Sequence, residues 1–234
     1  MHPLKLLFVL PLALAFAAPP APASKGPVFE FQARAIDPAL RAKMQEAGSW
    51  MTDCPVGLDV LRLVELTHWD RKGRPQTGQL IVHKDVTEDI AGIFADLFEA
   101  KYPIDKMRLI HEYEASDLKS VTDNNSSAFC CRLKTGKRTR TKEADWSLHS
   151  FGRAIDLNPV FNPYVKRRGK TVIPPAGRPY HSKRQRRAKQ ATQPELIVKN
   201  GAVVHAFKKR GWEWGGDWTH SKDYQHFDKK KQTP

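Results

Sequence analysis

Along this chain the spacing of apolar residues changes several times, and each change marks an element. Ile90, Ile93, Phe94, Leu97 and Phe98 recur at helical spacing between Thr87 and Tyr102-Pro103. That pattern predicts an amphipathic helix capped by Thr87. A shorter helix is expected over 38–47, with Asp37 as its cap and Pro38 at the first helical position. A third covers 202–209, with Gly211 as its left-handed end. Leu61–Trp69 is rich in branched and aromatic residues, and a second such run, 79–86, follows a turn containing glycine and proline. The two predict a β-hairpin. Further strands are expected at 107–113, 127–132, 153–157 and 224–228. The stretches 116–147 and 163–194 are otherwise without period and read as loops. Hairpins mixed with a few helices, without a strand–helix–strand rhythm, predict an α+β fold: a single small domain with an antiparallel sheet.

Composition adds a compartment. The length of 234 residues suits one domain with long loops, and 40% apolar with 27% charged residues excludes both a disordered chain and a membrane bundle. One stretch is apolar enough to engage a bilayer, and it lies at the start. Lys5 precedes an apolar run over 6–18, and Ala21-Pro22-Ala23 or Ala15-Phe16-Ala17 offers small residues for cleavage. The run is shorter than the ~20 residues that a ~30 Å hydrocarbon core requires, so it reads as a secretory signal. The expected organisation is a signal peptide at 1–23, a linker at 24–36, a domain at 37–228 and a basic tail at 229–234. The mature chain is expected in the periplasm or outside the cell, as a monomer.

Charge is distributed unevenly. The net charge is +14, yet 157–194 holds no Asp or Glu while ten Lys and Arg fall between Lys166 and Lys189. A second acid-free run spans 134–142. Such patches attract polyanions over about a Debye length, ~8–10 Å at physiological salt. The 163–194 loop therefore suggests an anionic envelope polymer as partner, against the plainer reading of a solvated loop. No nucleic-acid motif accompanies the runs, and none is expected to act on an exported chain. The three cysteines, Cys54, Cys130 and Cys131, form no CxxC pair, which argues against a thiolate zinc knuckle. After export Cys54 can pair with either of the other two.

The candidate chemistry lies in two segments. One runs from Trp146 to Asp156 and contains Ser147, His149, Gly152 and Asp156. The other runs from Trp212 to Asp228 and contains Trp214, Asp217, Trp218, Asp223 and His226. Catalytic zinc takes three ligands from His and carboxylate side chains and leaves a fourth position open. His149, Asp156 and His226 would supply those three. Residues seven apart on a straight strand face opposite sides, so Gly152 must let the chain turn between His149 and Asp156. Asp223 and His226, three apart, need a similar break.

Ser147-x-His149-x-x-Gly152-x-Ala154-x-Asp156 followed by Asp223-x-x-His226 resembles the D-alanyl-D-alanine carboxypeptidase and L-alanyl-D-glutamate endopeptidase family. Vancomycin-resistance carboxypeptidases and many phage endolysins belong to that family. The resemblance spans roughly 79–228. It implies a zinc metallopeptidase acting on peptidoglycan stem peptides, with Zn²⁺ held by His149, Asp156 and His226, and Asp223 as the catalytic acid–base. Asp217 is the second choice for that role, with capping of its own loop as the alternative. Arg132 falls where the family places a substrate-binding arginine, although its approach through Phe129-Cys130-Cys131 departs from the usual pattern. Ser147 is expected to support the ligands, and Trp214 to belong to the pocket wall or the core. The position of Cys131 beside Arg132 favours a Cys54–Cys131 disulfide, with Cys54–Cys130 as the competitor. The alternative function is a non-catalytic, zinc-containing envelope-binding protein that works through its basic loop.

Overall fold

A computed structural model describes residues 26–134, 137, 139–142 and 145–230. The expected signal peptide, the start of the linker and the last four residues of the tail lie outside them. Within the segment read as linker, Phe31–Ala35 forms a strand, β1, ahead of α1 (Pro38–Glu46). Asp37 caps α1 by accepting from the Leu40 N–H at 2.8 Å. β1 pairs antiparallel with β2 (Leu61–Trp69), and β2 with β3 (Pro75–His83), from Leu61↔His83 to Trp69↔Pro75. Asp70 closes the hairpin by accepting from the Lys72 and Arg74 N–H groups. β3 starts earlier than its apolar run because backbone pairing carries polar Gln76 and Thr77 into the ladder.

The hairpin is buried on both faces. Val64, Leu66, Leu80 and Val82 pack under α2 (Thr87–Glu99) against Ile90, Ile93, Phe94 and Leu97. Leu61, Leu63 and Ile81, one position out of phase, pack on the other side with Met44 of α1, Phe129 and Trp146. This explains why Leu80-Ile81-Val82 is an unbroken apolar run rather than an alternation. Each such side chain contributes about 1.5–3 kcal/mol by leaving water.

Of two expected strands one is much shorter than read and the other is absent. Of 107–113 only Met107 is in a strand, β4 (Lys106–Met107), because the chain turns into a 3₁₀ segment at Ile110–Tyr113 and leaves it with Glu114 left-handed. After α3 (Asp117–Thr122), β5 (Asn125–Ser126) pairs parallel with β4. The stretch 127–132 is not a strand. Its N–H groups go to separate neighbours: Phe129 to the Ile81 carbonyl, Cys130 to that of His149, and Cys131 to that of Ser49. It is a buried connector, and the Cys54–Cys131 disulfide fastens it to the loop after α1, with Cys130 left as a buried thiol.

β6 (Ala154–Asp156) follows, and then the basic segment, which is more regular than its composition suggests. β7 (Tyr164–Lys166) and β8 (Thr171–Ile173) make a hairpin, and Ser182 and Gln185 form a capping box at the start of α4 (Lys183–Lys189). Buried Arg186 holds this segment to the body by donating to the carbonyls of Phe161 and Ile197 and to Asn162 Oδ1. These polar anchors leave no hydrophobic period to read. α5 (Ala202–Lys208) lies against α2 and is followed by β9 (Glu213–Trp214), β10 (Lys222–Asp223) and β11 (His226–Asp228). The strand orders are β6-β11-β9 and β10-β7-β8, both antiparallel. Phe227 stacks on Phe207 of α5 at 3.9 Å between ring centroids and seats β11 in the main core. The architecture is the expected small α+β domain. Among the described residues no helix is long and apolar enough to cross a membrane.

Candidate active site

The pairing of β6 with β11 sets Asp156 directly across from His226. His149 reaches the same point from the 3₁₀ turn Leu148–Phe151 that precedes β6. Gly152 ends that turn at φ +65°, and a Cβ there would come within 2.6 Å of the His83 backbone nitrogen. Both facts require glycine, and the turn it makes resolves the seven-residue spacing of His149 and Asp156. His149 Nε2 lies 3.3 Å from Asp156 Oδ2 and 3.2 Å from His226 Nδ1, which is 3.0 Å from Asp156 Oδ1. One ligand atom from each residue falls within 4.8 Å of the others, so the three can hold a metal ion.

The other ring nitrogens fix which atoms face the cluster. His149 Nδ1 is 2.5 Å from the Ala128 carbonyl oxygen, and His226 Nε2 is 3.1 Å from Asp228 Oδ2. Both partners are acceptors, so each holds one ring N–H, and in the neutral form that ligates a metal the opposite nitrogen is the one left facing the cluster. Asp228 stood in the motif without a role. Its position two residues after His226 on one strand puts it on the same face, which is the signal that could have found it. Burial would by itself lower the pKa of His226, but its bonds to Asp156 and Asp228 raise it to about 10. Burial works the other way on Asp156, where the adjacent His149 and His226 outweigh it and hold the carboxyl well below its usual range. In both, the favoured state is a cation against a carboxylate, the electrostatic arrangement that a bound dication also satisfies.

An open cavity of about 420 Å³ adjoins the cluster, lined by His149 and His226 together with Arg132, Tyr164, Trp218 and Asp223. Asp223 enters on β10, which pairs with β7, whereas His226 is on β11, which pairs with β6. The change of sheet across Tyr224-Gln225 re-aims the chain between them. Gly215 packs against this point, since a Cβ there would lie 2.6 Å from the Asp223 carbonyl oxygen and 2.8 Å from its Cβ. Asp223 is half-buried, and its Oδ1 is out of contact with solvent and has no hydrogen-bond partner among the described residues. Burial, reinforced by the charge of Asp156, pushes its pKa up to about 7. That is the range in which a carboxyl can both accept and return a proton at neutral pH. Arg132 is held by Asp117 at 3.2 Å, with its Nε buried and unpartnered among the described residues.

The remaining residues singled out in the sequence divide. Ser147 lines the cavity and caps the turn, its Oγ accepting from the His149 N–H at 3.4 Å. Asp217 does not reach the cluster: it pairs with Lys208 at 2.5 Å and faces a different cavity. Trp214 is not at the site either. It is buried in the core, where its indole N–H donates to the Tyr224 carbonyl at 3.0 Å. The ring that does face the cavity is Trp218, 5.4 Å from the His226 ring. Sequence could not separate these tryptophans, because the 3₁₀ turn Gly215–Asp217 between them reverses their exposure.

Residues 140–229 match the family model for D-alanyl-D-alanine carboxypeptidase. The match bears out the resemblance carried by the motifs and includes His149, Asp156, Asp223 and His226. It is shorter than the 79–228 stretch expected and does not extend to Arg132. No curated protein and no solved structure matches the chain.

Proposed function

We propose that this chain is an exported zinc metallopeptidase that hydrolyses peptide bonds in peptidoglycan stem peptides, as a D-Ala-D-Ala carboxypeptidase or an L-Ala-D-Glu endopeptidase. The observation that most supports it is the joint presence, on one cavity, of two imidazoles oriented around the Asp156 carboxylate and a separate acid, Asp223, of raised pKa. Two imidazole nitrogens and one carboxylate, with no thiolate, form a donor set that suits catalytic zinc, which takes three such ligands. His149, Asp156 and His226 would hold the zinc, which when bound would supply a Lewis acid for the scissile carbonyl. Asp223 takes a proton from the attacking water and returns it to the leaving amine, a transfer suited to a carboxyl titrating near neutrality. The Arg132 guanidinium faces the same space, where it can bind a substrate carboxylate or steady the negative charge on the attacked oxygen. Asp228 and the Ala128 carbonyl keep the two imidazoles in the required tautomers.

The test is mass analysis of fragments released from purified peptidoglycan by the zinc-loaded protein, with a chelated control. Loss of one terminal D-Ala identifies a carboxypeptidase, and release of intact stem peptides identifies an endopeptidase. Release that is unaffected by chelation, or no release from any peptidoglycan, removes the reading.

A further inference from the structure

A second cavity, of about 430 Å³, lies across β10 from the catalytic one, Lys222 lining the second and Asp223 the first. Its lining includes Lys183, Arg186, Arg187, Lys199 and Lys222 against a single acid, Asp217. The charges are not equivalent. Arg186 is spent on internal carbonyls, Lys222 donates to the Gly216 and Trp218 carbonyls, and Asp217 is neutralised by Lys208 outside the cavity. Lys183, Arg187 and Lys199 remain: exposed, on one cavity, and with no carboxylate partner among the described residues. Two come from α4 and one from the loop before α5, so tertiary structure, not a run of sequence, brings the third to the other two. Cations that hold no internal partner and line one concavity are placed for an external anion, and their fields add there.

We propose that this cavity is an anion-binding subsite for a flexible linear polyanion, namely an acidic segment of the envelope polymer that carries the substrate peptide. The identity of the polymer rests on the function proposed above; the anion site itself does not. A concave site selects a thin, flexible chain over a duplex, whose rigid width keeps its phosphates at the rim. Guanidinium and ammonium groups accept phosphate or carboxylate repeats. Because chain neighbours face the two cavities, Lys222 the second and Asp223 the first, a polymer held in the second would keep its peptides near the first and raise their local concentration.

The test uses the full chain. Binding of inorganic polyphosphate, poly-L-glutamate and a short DNA duplex is measured against salt for the parent, Arg187→Gln and Lys183→Glu/Arg187→Glu/Lys199→Glu. The parent should bind one or both flexible polymers with a steep salt dependence. The single variant should weaken this several-fold and the triple variant at least tenfold, since each lost phosphate contact lowers the salt slope by about one. Which polymer binds distinguishes phosphate from carboxylate. Cleavage of a short soluble stem peptide should be unchanged in both variants, while cleavage of peptidoglycan that keeps its acidic polymers should fall. Equal binding by parent and triple variant overturns the subsite, and so does duplex DNA binding as tightly as the flexible polymers. Binding that persists in a chain that cleaves nothing sustains the anion site and removes the peptidase reading; cleavage without anion binding does the reverse.

Discussion

Asp223 and Asp217 are six residues apart in a tryptophan-rich stretch, and only their surroundings distinguish them. Asp223 is half-buried on the cavity beside the His149–Asp156–His226 cluster, with one buried, unpartnered oxygen, while Asp217 pairs with Lys208 and faces the other cavity. Asp223→Asn should therefore retain the metal and lose about 10²–10⁴-fold in turnover, the usual contribution of a general acid–base. Asp217→Asn should remain close to the parent. Zinc stoichiometry and peptide-release rate on the same two variants decide it, and full activity in Asp223→Asn would move the proton transfer to another group. Asp228 makes a different prediction because it acts through His226. Asp228→Ala removes the acceptor that fixes the ring and should weaken metal affinity about 10–100-fold, read by competition with a chromogenic chelator. An unchanged affinity would show that β11 alone holds the imidazole.

At the scale of elements, the site depends on two supports. β11 is short, and Phe227 is its anchor, fully buried and stacked on Phe207 between His226 and Asp228. Phe227→Ala should cost about 3–5 kcal/mol in denaturant unfolding, a loss from transfer and cavity together, and should lower metal affinity as β11 loosens. A cost below about 1 kcal/mol, well under the range for truncating a buried aromatic, would mean that the backbone ladder holds the strand without it. The second support is the loop before Ser147, organised around Asp145. This carboxylate accepts from the Thr141 N–H and hydroxyl and from the Lys142 N–H, and it pairs with Lys137. Those bonds, the Thr141 N–H first, hold its pKa well below the usual carboxylate range. A depressed folded-state pKa stabilises above the unfolded value of about 3.9 and loses that stabilisation as pH falls through the folded value. Amide protection of Thr141 and Lys142 should thus be constant near neutrality and decline only in strong acid. In Asp145→Asn it should be low throughout and insensitive to pH. Equal protection in variant and parent at neutral pH would show that the loop does not depend on this carboxylate.

For the molecule as a whole, the Cys54–Cys131 disulfide links parts of the chain 77 residues apart and pins the connector that leads to Arg132. The pairing agrees with the one that the family resemblance favoured over Cys54–Cys130. In the chain-entropy model a loop of this size contributes about 4 kcal/mol by restricting the unfolded chain. Cys54→Ser/Cys131→Ser should lower unfolding stability by up to that amount and weaken substrate handling more than metal binding, because the three candidate ligands lie outside the closed loop. Equal loss of both would mean that the disulfide supports the whole fold and not the Arg132 side of the cavity.

Sequence by itself determined the parts whose cause is local. Helical period specified α2, Asp37-Pro38 specified the start of α1, and branched residues specified β2. The three candidate metal ligands were legible because two imidazoles and a carboxylate suit a dication and because the two motifs that carry them, in this order, resemble those of a known family; the spacing of His149 and Asp156 alone would not have singled them out. Tertiary structure decided what depends on neighbours distant in sequence. The stretch 127–132 looked like a strand, but its N–H groups are satisfied by three separate neighbours. The basic segment looked irregular, but buried Arg186 and internal carbonyls order it without a hydrophobic period. Trp214 and Trp218 look equivalent along the chain, yet one is core and the other faces the cavity, because Trp214 is in β9, paired with β11, and the 3₁₀ turn Gly215–Asp217 redirects the chain before Trp218. The raised pKa of Asp223 has the same origin, since it follows from burial beside Asp156, a carboxylate that only the folded chain brings near.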